Sequence, residues 1–182
     1  MIEVYKTYKH NPPHLFIPNS QYFITGSTYL KKKYLKDDKT KEHLLDSFKK
    51  AFEEYNWILE DWVILDNHYH IMIGNLNNAD SLSKMMNEVH RFTALWIKKN
   101  SLDFRNEKRI FYNYWDSCIN YKRSYLTRIN YIYYNPIKHS YVDRSEDYKW
   151  CSFRYRLDKE NEYLKILREK YPCDKVKIED NY

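Results

Sequence analysis

Residues 65–74, LDNHYHIMIG, place two imidazoles, His68 and His70, two positions apart at the start of an apolar run. Side chains alternate between faces along an extended strand, so His68 and His70 point one way and Tyr69 the other. Two neutral imidazoles aimed at one point are the beginning of a divalent-metal site. They do not fill a coordination sphere. Two ordinary histidines at a strand end, one bonded to backbone and one wet, explain the same letters, and a metal site needs a further ligand from elsewhere in the chain.

A second group lies in SYLTRINYIYYN, residues 124–135, directly before Pro136. At about 100° per residue, a helix here gathers Leu126, Ile129, Ile132 and Tyr133 into an apolar side suited to packing on a sheet. Tyr131 falls on the other side with Ser124, Thr127, Arg128 and Asn135. Asn135 is one turn beyond Tyr131, so its amide oxygen and the phenol can approach one site together. The plainer alternative makes Asn135 a helix-closing residue before proline and Tyr131 a surface aromatic. Tyr134, about 60° from that face, and Tyr125 are the competing phenols. Arg128 suits a phosphate contact or a solvated surface equally.

These residues need a frame to hold them. YFITGSTYL, residues 22–30, is rich in β-branched and aromatic residues and predicts a first strand after a polar, proline-bearing leader. Residues 41–55 space Leu44, Leu45, Phe48, Phe52 and Tyr55 as one helical stripe. WILEDWVIL and HYHIMIGN flank Asp66-Asn67, a pair that tolerates left-handed turn conformations, and predict a β-hairpin. Residues 80–99 predict a second amphipathic helix, with Leu82, Met85, Met86, Val89, Phe92 and Trp96 on one side and Asp80 or Ser81 as cap. A loop over 100–108, a short strand over 110–114, and a third helix over 124–135 stopped by Pro136 follow. A charged helical segment, 157–170, precedes a polar end. The order predicts an α+β fold, with helices packed on an antiparallel sheet. The domain spans 1–153 and a C-terminal helical tail spans 154–182.

The composition narrows the chemistry. With only two glycines, Gly26 and Gly74, the 182-residue chain can hold neither a Walker A loop nor a GxGxxG dinucleotide fingerprint. Cys118, Cys151 and Cys173 form no CxxC and read as free structural thiols. A net charge of +6 with 18% aromatic residues, 20 of them tyrosines, suits single-stranded nucleic acid, whose bases stack and whose phosphates need counter-charge. No run reaches the roughly 18 apolar residues of a membrane span, and the first residues lack the core of a signal peptide. The expectation is a cytoplasmic protein without membrane contact.

Together, VILDNHYHIMIG (63–74) and YIYYNPIKHSYVDRSEDYKWCSF (131–153) resemble, in order and separation, the two signatures of REP-associated tyrosine transposases, within the single-tyrosine HUH transposases. The resemblance extends over roughly residues 22–153. It implies a ferredoxin-like, RRM-like HUH endonuclease core. It further implies Tyr131 as nucleophile, His68, His70 and Asn135 as ligands of Mg2+ or Mn2+, and hairpin-forming single-stranded DNA as partner. The implied reaction is DNA cleavage and strand transfer through a 5′-phosphotyrosine, by a monomer or a homodimer. The sequence departs from the family pattern at Asp66, often proline, at His139-Ser140, often small residues, and at Tyr69, usually aliphatic. Two alternatives stand beside it: a non-catalytic single-strand binding module, and a metal-dependent nuclease with water as nucleophile.

Overall fold

The computed structural model describes residues 5–6, 14–15, 17–75, 79–156, 161–174 and 176. Two short strands pair antiparallel, β1 (Tyr5–Lys6) ahead of the proline-bearing leader and β2 (His14–Leu15) within it. The main chain of elements is then β3 (Gln21–Ser27), α1 (Asp38–Tyr55), β4 (Trp57–Ile64), β5 (His68–Asn75), α2 (Leu82–Asn100), β6 (Trp115–Ile119), α3 (Lys122–Lys138) and α4 (Asn161–Lys170). The sheet runs β4-β5-β3-β6 with every neighbour antiparallel. This is the expected α+β architecture. Helices α1 and α2 pack together on one face, and α3 crosses the other. No described helix is long and apolar enough to cross a membrane.

Local chemistry explains most of the element ends. Helix α1 starts earlier than its apolar stripe because Asp37 caps it, accepting from the Thr40 N–H at 3.0 Å. It ends at Asn56, which takes the left-handed conformation at φ 57°. The stripe residues Leu44, Leu45, Phe48 and Phe52 are buried as their spacing predicts.

Several boundaries differ from the sequence reading, each for a physical reason. The first strand ends at Ser27, because Leu30 and Lys31 both turn into left-handed backbone. Residues 110–114 are not a strand. Ile110, Phe111 and Tyr114 bury their side chains, but the ladder with β3 falls on Trp115–Ile119, an edge strand with half-exposed side chains. Asp66 and Asn67 close the hairpin without left-handed geometry. The turn spans 65–67, with the Leu65 N–H donating to the His68 carbonyl at 2.8 Å. In α2, Thr93 and Ile97 continue the buried stripe, while Phe92 is 49% exposed. Ser81 precedes that helix without a side-chain cap bond and instead accepts from the Trp57 indole at 2.9 Å. Helix α3 passes through Pro136 to Lys138 rather than stopping. The Ile132 carbonyl that loses its usual donor faces the Cys151 thiol at 3.9 Å.

The β3–β5 register decides which side chains share a face. Directly opposed residues point the same way, so His70 joins Thr25, and His68 joins Ser27, on the α3 side. Tyr69 faces α1 and α2. Its ring meets Phe48 at 5.0 Å, and its hydroxyl is hydrogen-bonded to His90 Nε2 at 2.7 Å. Gly26 lies opposite Tyr69, and a Cβ on it would stand 2.2 Å from the Tyr69 ring. The large middle residue of the histidine motif is therefore accommodated by a glycine across the strand pair. On the other face, β4 bulges between Leu59 and Asp61. The fully buried Asp61 carboxylate accepts from Tyr133 of α3 at 2.7 Å, Ser152 at 2.8 Å and Arg156 at 2.8 Å. This network pins α3 to the sheet.

Gly26→Ala is expected to destabilise the protein by about 2–3 kcal/mol through overpacking, measured by urea unfolding. The same change in a Tyr69→Leu background should cost much less, since the clash is pairwise. His90 supplies a pH test. Burial holds its pKa down to about 3, against an ordinary value near 6.5 in the unfolded chain. The unfolded state therefore takes up the proton first, and the stability present above pH about 6.5 is lost as pH falls toward 3. Thermal unfolding between pH 7 and 4.5 should show a shallower loss for His90→Gln than for the unaltered protein.

Candidate active site

The half of the sheet beneath the C-terminal part of α3 carries a polar patch: Ser27 and Thr25 from β3, His68 and His70 from β5. All four are buried. Onto this patch α3 sets Tyr131, which is 3% exposed, and Asn135, which is fully buried. The Tyr131 ring meets His70 at 5.1 Å and Phe23 at 6.3 Å, both edge-on. Asn135 Oδ1 lies 3.3 Å from His68 Nε2. The two histidine rings are 5.3 Å apart.

Helical periodicity alone assigns Tyr131 to a side of α3 turned away from the sheet. In the fold that side faces the sheet, because the patch it covers is itself polar. The apolar residues Ile129, Ile132 and Tyr133 are buried as expected. Tyr134 is 40% exposed, and Tyr125 donates to Glu60 at 2.8 Å on the β4 side. Neither shows a contact with the histidine pair. Arg128 donates to the hydroxyl and carbonyl of Ser124 and lies over the Phe23 ring at 5.7 Å. It is part-buried next to the site rather than fully solvated.

The tautomer of His68 follows from its surroundings. Asn67 donates its amide N–H to the Lys31 carbonyl at 3.2 Å, which orients its oxygen toward His68 Nδ1 at 2.7 Å. Nδ1 therefore carries the hydrogen, and Nε2 presents a lone pair. Burial first, then the nearby His70, His139 and Lys31 charges, holds the His68 pKa well below the ordinary range, so the ring is neutral. His68 Nε2 and the Asn135 amide oxygen lie 3.3 Å apart, close enough for one cation to take both as ligands. His70 is held through Nδ1 by the Thr25 hydroxyl at 2.9 Å. Such outer partners fix ring orientation in metal sites. Two imidazoles and an amide oxygen suit a divalent ion. The described residues hold no metal-type cluster of three His, Cys, Asp or Glu side chains, and the three cysteines are free thiols.

The sequence reading missed three supporting residues: Asn67, Thr25 and Lys138. Asn67 was legible as a turn former and as the residue that precedes the histidine pair in the family signature, without a role of its own, and Thr25 only as a strand residue. Lys138 Nζ lies 3.0 Å from the Tyr131 hydroxyl. Its one sequence signal was its place two helical turns beyond the tyrosine. The departures from the family pattern also find reasons. Asp66 pairs with the buried Lys41 at 2.7 Å, and Ser140 adopts φ 56°, a conformation that favours glycine. His139 stacks edge-on against His68 at 4.8 Å.

The family description "Transposase IS200 like" matches residues 17–135, which include the histidine pair, Tyr131 and Asn135. The chain belongs to this family. Its members and relatives are tyrosine transposases, which are enzymes. The REP-associated tyrosine transposase of Escherichia coli is 23% identical over 161 residues, 85% of this chain and 87% of that one. A Haemophilus influenzae protein given the same name provisionally is 24% identical over 130 residues, 64% of this chain and 74% of its own length. The solved structure of a REP-associated tyrosine transposase bound to a REP hairpin superposes with a TM-score of 0.67 at 20% identity. It covers 82% of this chain and 84% of that one, so the family fold is shared.

Asn67→Ala should release His68 from the Nδ1–H tautomer, read from the 15N shifts of its ring nitrogens. Unchanged shifts would show that His68 holds its tautomer without Asn67.

Proposed function

We propose that this protein cleaves and rejoins single-stranded, hairpin-forming DNA in the cytoplasm through a 5′-phosphotyrosine on Tyr131. The observation that carries the reading is the convergence of Tyr131 on His70, and of Asn135 on His68, across the α3–sheet contact. His68, His70 and Asn135 are assigned as the metal-holding residues. A divalent cation bound there would draw charge from the scissile phosphate and orient it. Magnesium favours oxygen ligands, so the two imidazoles make manganese an equal candidate.

The Tyr131 hydroxyl gives up its proton to water and its oxygen attacks the phosphorus. A P–Oη bond forms, the P–O3′ bond breaks, and the 3′ oxygen takes a proton to become a hydroxyl. The phosphodiester's energy is kept in the phosphotyrosine, so the 3′-hydroxyl of another strand can reverse the step without a nucleotide triphosphate. The sheet edge offers a path for the strand. Trp115, 46% exposed on β6, stands opposite Thr25 and so on the face of the histidine pair. It is a stacking platform for a base. Arg128, beside Phe23, is assigned a phosphate contact. The names of the relatives, and the REP hairpin in the solved family structure, support a hairpin as the substrate class.

The decisive variant is Tyr131→Phe, which removes one oxygen and leaves the packing. Incubated with labelled hairpin DNA and Mn2+, the unaltered protein should give a denaturation-resistant protein–DNA band. Tyr131→Phe should give none while binding DNA with similar affinity. Cleavage that persists without an adduct would mean water is the nucleophile, and binding without cleavage by either protein would mean a binding module. His68→Ala and His70→Ala should reduce cleavage to background, and Asn135→Asp should retain part of it, since a carboxylate also ligates these ions. Perfect duplex should be a poor substrate, with binding that falls steeply with salt.

A further inference from the structure

Helix α3 does not end where proline would be expected to end it, and the extra turn has a consequence for the nucleophile. Tyr131, Asn135 and Lys138 fall on one face because the helix continues through Pro136. Helical side chains lean toward the N-terminus, and Lys138 reaches back so that its Nζ donates to the Tyr131 hydroxyl at 3.0 Å. The same ammonium stands 5.0 Å from the centre of the Tyr131 ring. The hydroxyl belongs to a side chain almost wholly buried, so an anion on it has little water to stabilise it.

We propose that Lys138 is a catalytic residue whose ammonium pairs with the Tyr131 oxygen as it becomes an anion in attack and again as it departs in rejoining. The inference rests on Tyr131 being the nucleophile. In attack, the phenol proton leaves to water through the cavity of about 420 Å³ that Tyr131, Tyr134, Lys138 and Arg168 line. The ammonium keeps its protons and holds the resulting oxyanion. The P–Oη bond then forms, the P–O3′ bond breaks, and the 3′ oxygen takes its proton from water. In rejoining, the bonds change in the opposite sense. The departing tyrosinate is paired with the ammonium until water returns the proton. Burial, the main cause, lowers the Lys138 pKa, in keeping with an ammonium partly removed from water, whose attraction for an anion is correspondingly stronger. Among the described residues, the other titratable or charged groups facing this region are His70 from β5, Tyr134 from α3 and His139 just after it, and Arg168, Cys173 and Asp174 from α4 and the segment after it.

The test combines Lys138→Met and Lys138→Arg with 3,5-difluorotyrosine, a more acidic phenol, at position 131. Single-turnover cleavage of a labelled single-stranded hairpin with Mn2+ should fall about 10–100-fold in Lys138→Met, with DNA affinity within twofold, and much less in Lys138→Arg. Difluorotyrosine should shrink the Lys138→Met loss at least about tenfold, each rate being compared with difluorotyrosine in the protein that keeps Lys138. A packing role would not produce such a recovery. In the absence of DNA and metal, the fluorine resonance reports phenol ionisation directly, and its midpoint should move up by about one pH unit or more in Lys138→Met. Equal losses with both phenols, a loss confined to DNA affinity, or an unmoved midpoint each overturn the proposal. An unaltered protein that forms no adduct overturns the DNA-cleavage reading instead, and the resonance titration then decides the pairing alone.

Discussion

The register between β3 and β5 is the constraint on which the rest of the molecule depends. It sets Thr25 against His70 and Gly26 against Tyr69. A slip of one residue would exchange the faces of every side chain on β5. The histidines would then lie under α1 and α2, and the Tyr69 ring would lose the space left by Gly26. The register is defended from both sides. On one face, Tyr69 is held by His90 and Phe48. On the other, His70 is held by Thr25. The buried aromatic Tyr69 and the two imidazoles assigned to the proposed site are thus successive residues of one strand, facing opposite ways.

The second requirement is that α3 sit at the right height and rotation over that strand. Asp61 does much of this work. Its carboxylate, exposed to the α3 side by the β4 bulge, gathers Tyr133, Ser152 and Arg156. Burial raises the Asp61 pKa while these partners oppose the shift, and removing any one of them would leave a buried carboxylate undersatisfied. Because Tyr133 is two residues from Tyr131, a contact in the core also orients the phenol in the site. Asn130 extends the arrangement outward, donating to the Leu167 and Tyr171 carbonyls and so tying α4 and the following segment to α3. Leu164 and Leu167 of α4 are buried in the same core.

Electrostatics then act on a site already built. His68 is neutral because it is buried among positive neighbours, and its tautomer is dictated by an amide whose own orientation is fixed by the Lys31 carbonyl. The amide oxygen of Asn135 lies beside His68, and the Lys138 ammonium lies beside the Tyr131 hydroxyl. Such an arrangement suits the proposed chemistry, in which a cation is bound and an anion develops within a few ångströms.

By itself, the sequence determined the order of elements, the two faces of β5, and the grouping of Tyr131 with Asn135, because these follow from periods of two and 3.6 residues that local backbone geometry enforces. The absence of glycine-rich nucleotide loops was equally plain from the letters. Tertiary structure decided what those periods leave open. Which side of α3 meets the sheet depended on the polar patch formed by β3 and β5 together, so amphipathic reasoning placed Tyr131 on the wrong side. The edge strand moved from 110–114 to Trp115–Ile119 because pairing follows the ladder to β3 rather than local hydrophobicity. Helix α3 outran Pro136 because the last turn is held by packing and by the His139 N–H bonded to the Asn135 carbonyl at 3.1 Å. That overrun brings Lys138 to the phenol. Asn67 and Thr25 acquire their roles only across strands, where no local pattern in the chain records who the neighbour will be.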